Sequence, residues 1–373
     1  MNEKLSQQVK VYVIACSGPA DLNGVRMLVD KNELNPNEIV AVMGKTEGNG
    51  GVNDFARDLA VKSWCTFLCA YFNCSPESVL ERVALVMSGG TEGVLSPHFT
   101  VFTRSFIPFL SSSEKGLVIG ISHTKKFLPE EIGTMAQVLE TAKAVKLAMQ
   151  DAGLNNSDDI HLVQVKCPLL TNEKINNLLI RGAMAVTQDT YKSMAYSRAA
   201  SALGVAIALG DARQNEIDNS TILSDFNKYS GCASISAGIE VDNNVVIVFG
   251  NLVGSSSPYF ISHTIMHDSI DIKSVLEMFS NDFGLDLLKS YSVISDRLVN
   301  IFVKAEASPD GLIRGERHTM LTDSDVTSTR HARAAVGGVL AALTGKTTLY
   351  VSGGAEHQGP SGGGTCAAII KRK

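Results

Sequence analysis

The chain reads as an α/β protein of three structurally similar repeat domains, each a mainly four-stranded sheet with helices on one side. Three observations carry that reading. Ser-Gly-Gly-x-Glu is written twice, as Ser88-Gly-Gly-Thr-Glu92 and Ser352-Gly-Gly-Ala-Glu356. The same order of period-2 and period-3.6 segments occurs three times. Turn-forming residues cluster at Ser111-Ser-Ser-Glu-Lys-Gly116 and Gly254-Ser-Ser-Ser-Pro258, where linkers fit, which places the domains at 1–106, 113–251 and 257–373.

Each unit opens with an apolar strand, at 10–15 (KVYVIA), 116–122 (GLVIGIS) and 258–264 (PYFISHT). A helical segment follows, at 22–31, 134–152 and 272–281. The second strand ends in a lysine each time: 39–45 (IVAVMGK), 160–166 (IHLVQVK) and 299–304 (VNIFVK). Then comes a helix that sets one arginine among small residues, Arg57, Arg198 and Arg333. Asp54, Asp189 and the run Thr322-Asp-Ser-Asp325 are its N-terminal signals. A third strand ends at a serine with a small residue behind it and a glutamate four places on: Ser88 with Glu92, Ser236 with Glu240, Ser352 with Glu356. The middle copy writes SAGIE where the others write SGGxE. A fourth strand, at 98–103, 245–250 and 366–370, closes each unit.

Composition narrows the functional classes. A length of 373 residues suits two or three cores, and 45% apolar with 19% charged residues is ordinary for a globular protein. No apolar run spans a bilayer, and the polar start MNEKLSQQVK does not resemble a secretory signal, so a cytoplasmic protein is expected. Seven cysteines without paired spacing read as buried thiols. A net charge of −5 speaks against a nucleic-acid surface and for a small-molecule ligand.

Strand ends lie at a sheet edge, and three units can aim that edge at a common axis. The triplets Lys45/Lys166/Lys304, Arg57/Arg198/Arg333 and Ser88/Ser236/Ser352 would then share one site. Arginine forks suit planar oxygen acceptors. Serine becomes a nucleophile when a base takes its proton, and lysine serves when burial or nearby cations lower its pKa. A small residue after each serine leaves the backbone N–H open to an oxyanion. Acyl transfer is the chemistry these parts suit. Lys45 and Lys304 have a glutamate two residues on, Glu47 and Glu306, which shares their face on an extended segment and would hold the lysine charged. Lys166 lacks one, so Lys166 is expected to be the general base and Ser236 the nucleophile. Ser234, two residues earlier, is the rival.

The blocks Gly44-Lys-Thr-Glu-Gly-Asn-Gly50, Met87-Ser-Gly-Gly-Thr-Glu-Gly93, Arg330-His-Ala-Arg-Ala-Ala335 and Val351-Ser-Gly-Gly-Ala-Glu-His-Gln-Gly-Pro360 resemble the cyanuric acid hydrolase and barbiturase family of cyclic amide hydrolases. The resemblance covers essentially the whole chain. It implies three domains around a pseudo-threefold axis, a homotetramer, and ring opening of cyanuric acid to carboxybiuret. Barbituric acid is the alternative ring, and a non-catalytic binder of a small anionic ring the alternative class. It further implies that Lys166 and Ser236 are the dyad, with a substrate clamp of Arg57, Arg198, Arg333, Ser88-Gly89, Ser236-Ala237 and Ser352-Gly353, joined by Lys45 and Lys304. No cofactor is expected for catalysis. A structural Mg²⁺ or Ca²⁺ is implied near the last block, on Glu306 and backbone oxygens among Ala355, Gln358, Gly359, Pro360 and Gly363. Thr365, where the family pattern has proline, departs from it.

Two other motifs fall short. Gly345-Lys-Thr lacks the first glycine of a P-loop, because Leu340 stands there. His263-x₃-His267 lacks a third zinc ligand.

Overall fold

The computed structural model describes residues 5–109, 113–286 and 296–372. Three four-stranded sheets account for most of the strand residues. The first holds β1 (Leu5–Ala15), β2 (Ile39–Thr46), β3 (Ala84–Gly89) and β4 (His98–Pro108). The second holds β5 (Lys115–His123), β6 (Ile160–Cys167), β7 (Ala233–Ala237) and β8 (Val245–Val253). The third holds β9 (Tyr259–Met266), β10 (Leu298–Ala305), β13 (Tyr350–Gly353) and β14 (Gly364–Lys371). A short hairpin, β11 (Leu312–Ile313) with β12 (Glu316–Arg317), stands apart.

Numbering the strands of a unit one to four along the chain, all three sheets share the order 1-4-2-3. The second and third strands run parallel, and the fourth pairs antiparallel with both the first and the second.

Helices cover the outer faces. In the first unit α1 (Asn23–Asp30), α2 (Phe55–Phe72) and α3 (Pro76–Arg82) accompany the sheet; Trp64, Phe67 and Leu68 of α2 pack with Val42, Leu85 and Phe99. In the second, α4 (Met135–Ala152), α5 (Asn172–Ile180) and α6 (Thr190–Leu209) do so. In the third, α7 (Ile272–Phe283) and α8 (Ser328–Thr344) bury Phe279, Val336 and Leu340 against Ile301, Val303 and Val351. Close approach governs the middle unit. A Cβ on Gly120 of β5 would lie 2.0 Å from the Ala148 carbonyl of α4, so only glycine lets that helix rest on the strand.

The three inner faces meet one another. Val9, Val86, Leu117, Ile247, Phe302 and Ile369, drawn from all three sheets, belong to one buried cluster. At its centre Phe102, Phe249 and Phe302, one per sheet, have ring centroids 4.9 to 6.4 Å apart. A sheet with one helix-covered face and one sheet-covered face has no solvated side, which explains why the lysine strands read as near-continuous apolar runs.

The expected strands and helices are present, with α3, α5 and the β11–β12 hairpin in addition. One helix signal differs. The run Thr322-Asp-Ser-Asp325 does not cap α8, whose N-cap is Thr327; Asp323 accepts from the N–H groups of Asp325 and Val326 instead. No helix among the described residues is long and apolar enough to cross a membrane.

Candidate active site

Each lysine faces its serine across a parallel strand pair: Lys45 opposite Ser88, Lys166 opposite Ser236, Lys304 opposite Ser352. All six are buried. The arginines arrive from a helix that follows the lysine strand in each unit, α2, α6 and α8; Asp54 caps α2 through Ala56 N (3.1 Å) and Asp189 caps α6, whereas Thr327 at the N-cap of α8 makes no side-chain cap bond. Together with Gly50, Gly89, Met194, Ala237 and Gly353, the three arginines and three serines line one small pocket. It lies below a cleft of about 550 Å³ walled by Asn49, Tyr191, Thr329 and Glu356 among others. The arginines, the serines and the small residue after each serine therefore converge as expected, while Lys45 and Lys304 do not line the pocket and contact Ser88 and Ser352 from behind it.

The glutamates complete the arrangement, and they act between units. Arg333 of the third unit donates to both carboxylate oxygens of Glu92 in the first, at 2.7 and 2.6 Å. Arg198 of the second grips Glu356 of the third at 2.8 and 2.5 Å. Arg57 of the first approaches Glu240 of the second, but only to 3.6 Å, and its terminal nitrogens donate to Ala237 O and Gly51 O instead. This cycle accounts for the glycines. Gly90 and Gly354 have φ of +98° and +77°, and a Cβ on either would lie 2.6 or 2.7 Å from the arginine of the preceding unit.

Two of the lysines also reach across. Lys166 donates to Met87 O at 2.6 Å and Lys304 to Ile235 O at 2.7 Å, each the residue before the neighbouring unit's serine. Lys45 and Lys304 hydrogen-bond their own serines, at 3.2 and 3.1 Å. Lys166 does not. Its ammonium instead sits 2.8 Å from Glu240 Oε1 as an ion pair, and Ser236 Oγ is buried without a hydrogen-bond partner.

This reverses the carboxylate argument drawn from the sequence. Strands β2 and β10 end at Thr46 and Ala305, so Glu47 and Glu306 lie past the extended segment and do not share the lysine's face. Glu47 is exposed, and Glu306 Oε2 accepts from Gly362 N. Burial, with Arg333 next, holds Lys45 well below the ordinary lysine range; burial, with Arg198 next, does the same to Lys304. For Lys166 burial also dominates, but the Glu240 carboxylate pulls the other way and leaves it at about 8. Lys166 is the lysine with the carboxylate, not the one without.

Ser234 is removed from the pocket. It lies one layer deeper, where its hydroxyl donates to Gln164 Oε1 at 2.8 Å. Glu92, Glu240 and Glu356 were visible in the sequence as repeat marks four places after each serine, yet only the fold gives them partners.

The last block braces the second unit. Gln358 Oε1 accepts from Ile235 N at 2.6 Å, and His357 Nδ1 and Nε2 meet Lys228 O and Leu223 N. The backbone carbonyl of Gln358 likewise accepts one bond, from Thr365 N. Burial, then the charge of Glu356, raises the Glu306 carboxyl. The carbonyls of Ala355 and Pro360 each accept one bond within the loop, from Gln358 N and Gly363 N, which leaves a lone pair free on each. One carboxylate with carbonyl oxygens fits a hard divalent ion. Among the described residues no three His, Cys, Asp or Glu cluster as a metal site. Thr365 N donates to Gln358 O at 3.0 Å, a bond that proline at this position could not make. His263 pairs with His161 and Cys232 while His267 pairs with Asp271, so the two do not converge.

A threefold set of sheets converging on arginine, lysine and serine defines a ring-opening amidohydrolase, and the chain belongs to that family: the one described as "Amidohydrolase ring-opening protein" matches residues 10–371. Curated relatives are the cyanuric acid amidohydrolases of Bradyrhizobium diazoefficiens, 52% identical with 97% of this chain and 98% of the relative covered, and of Pseudomonas sp. (strain ADP), 50% identical with 97% and 99% covered. A solved cyanuric acid hydrolase superposes with TM-score 0.94 at 49% identity over 98% of this chain and 100% of that one. The enzyme from A. caulinodans gives 0.90 at 43%, with the same coverage.

Proposed function

We propose that the chain hydrolyses cyanuric acid to carboxybiuret, which then loses CO₂ to give biuret, with Ser236 as nucleophile and Lys166 as base. The observation that supports this is the break in threefold symmetry at the middle unit. There alone the serine hydroxyl is uncommitted, the lysine pKa is near the working pH, and a carboxylate touches the lysine. A base is most effective with a pKa near ambient pH, and a third group that orients it completes the usual nucleophile, base and orienter set. Lys45 and Lys304, tied to their serines and more strongly depressed, suit binding.

A ring of three carbonyls alternating with three N–H groups matches the symmetry of the pocket. Arg198 and Arg333 each keep Nη1 free of protein partners among the described residues, and these with Ser88 and Ser352 suit two of the carbonyls. At the third, Ser236 Oγ bonds to the carbonyl carbon as its proton passes to Lys166 Nζ. The ring C–N bond then breaks and Lys166 returns the proton to the leaving nitrogen. Water, giving its proton to Lys166, attacks the acyl ester; the bond from the acyl carbon to Oγ breaks, and Lys166 returns that proton to Ser236 Oγ. Glu240 holds the ammonium that forms in each half-reaction.

The test is turnover of purified protein on cyanuric and barbituric acid, followed by loss of ring ultraviolet absorbance. Ser236→Ala and Lys166→Ala should lower kcat by about 10³-fold or more, whereas Ser88→Ala or Ser352→Ala should chiefly raise KM. Similar residual activity in all four variants would overturn the middle dyad. A non-catalytic binder would leave absorbance unchanged after many equivalents. We also propose a homotetramer, checked by sedimentation, and a structural Mg²⁺ or Ca²⁺ at Glu306 with backbone oxygens among Ala355, Gln358, Gly359, Pro360 and Gly363, checked by metal analysis and by melting with and without chelator.

A further inference from the structure

Tyr350 begins β13 two residues before Ser352, on the same side of the strand. Val86 and Ser234 hold the corresponding places in the other units. The tyrosine is thus a feature of one unit only. Its side chain is fully buried in the central cluster, with the ring centroid 5.7 Å from that of Phe302 and 5.7 Å from Lys45 Nζ. Its hydroxyl extends toward the hydroxyls of Ser88 and Ser236 in the other two units. It makes no hydrogen bond there, and neither does Ser236 Oγ. Ser88 is already held by Lys45, and Ser234 by Gln164.

A buried hydroxyl without a partner destabilises a fold, so a core that needed only volume would carry phenylalanine at this place. Two such hydroxyls face each other here, one on the nucleophile. We propose that Tyr350 is a positioning residue for Ser236, on the reading that Ser236 is the nucleophile. Its O–H donates to Ser236 Oγ as the serine proton leaves for Lys166, fixing the direction of attack and steadying the oxygen's developing charge. The phenol keeps its own proton throughout. Burial favours this, because it raises the phenol further above its ordinary range.

The experiment is Tyr350→Phe in the full chain, with kcat, KM and melting temperature measured beside Ser236→Ala. The expected result is a kcat about 10- to 100-fold lower, KM within about twofold, and a melting temperature unchanged or raised. A kcat within about twofold of the parent overturns the proposal, as does a lowered melting temperature, which would make the hydroxyl a structural group. If Ser236→Ala is inactive while Tyr350→Phe is fully active, the positioning role fails alone. If Ser236→Ala turns over, the nucleophile assignment fails and takes this inference with it.

Discussion

Glu240 separates the middle unit from its two relatives. Glu92 and Glu356 are each occupied by an arginine fork, while Glu240 stands back from Arg57 and touches Lys166. The lysine must be neutral to accept a proton, so kcat/KM should rise with pH and level off above about 8. Glu240 favours the charged lysine, hence Glu240→Gln should move that rising limb to lower pH and reduce kcat at the plateau. A limb that stays in place would mean another group controls the profile. Arg333 invites a stability test at the same scale. Removing it by Arg333→Ala strands Glu92, buried to 9% exposure, at a cost of about 3 kcal/mol, since Arg330 remains 3.3 Å away. Urea unfolding would read this as a lower midpoint at unchanged slope.

At the scale of elements, the strand-end lysine and serine were legible because period-2 patterns mark both strands, and the parallel register then sets them opposite. The carboxylate partners were not. An i,i+2 argument holds only while the chain stays extended, and β2 stops one residue after Lys45. Two substitutions test how the helices are seated. Asp54 accepts from Ala56 N and Gly50 N at 3.1 and 2.9 Å, so Asp54→Ala should cost about 1–2 kcal/mol in denaturant melts and loosen the loop beneath the cleft. Gly120→Ala presses a methyl into the α4 backbone and should lower stability by about 1–3 kcal/mol or more; an unchanged melting curve would contradict the close approach of α4 to β5.

Across the whole molecule, the Arg–Glu pairs run from each unit to the next, Lys166 and Lys304 donate to carbonyls of the unit before their own, and the inner sheet faces form one core. We propose the units at 1–106, 113–251 and 257–373 as repeats that fold only together. The segment 113–253 expressed alone should bind a hydrophobic dye and melt without cooperativity, because Leu117, Ile119, Ile247 and Phe249 would lose their cover. A sharp, dye-free transition would show that one unit is self-sufficient.

The sequence by itself determined the three repeats, their strand and helix order, and the residues that converge, since local periodicity and turn chemistry write these directly into the chain. Only the tertiary structure decided which carboxylate meets which cation, and that Ser236 rather than Ser234 reaches the pocket. Those pairings join residues as far apart as Glu92 and Arg333, and the charge a buried lysine feels depends on groups brought there by other units.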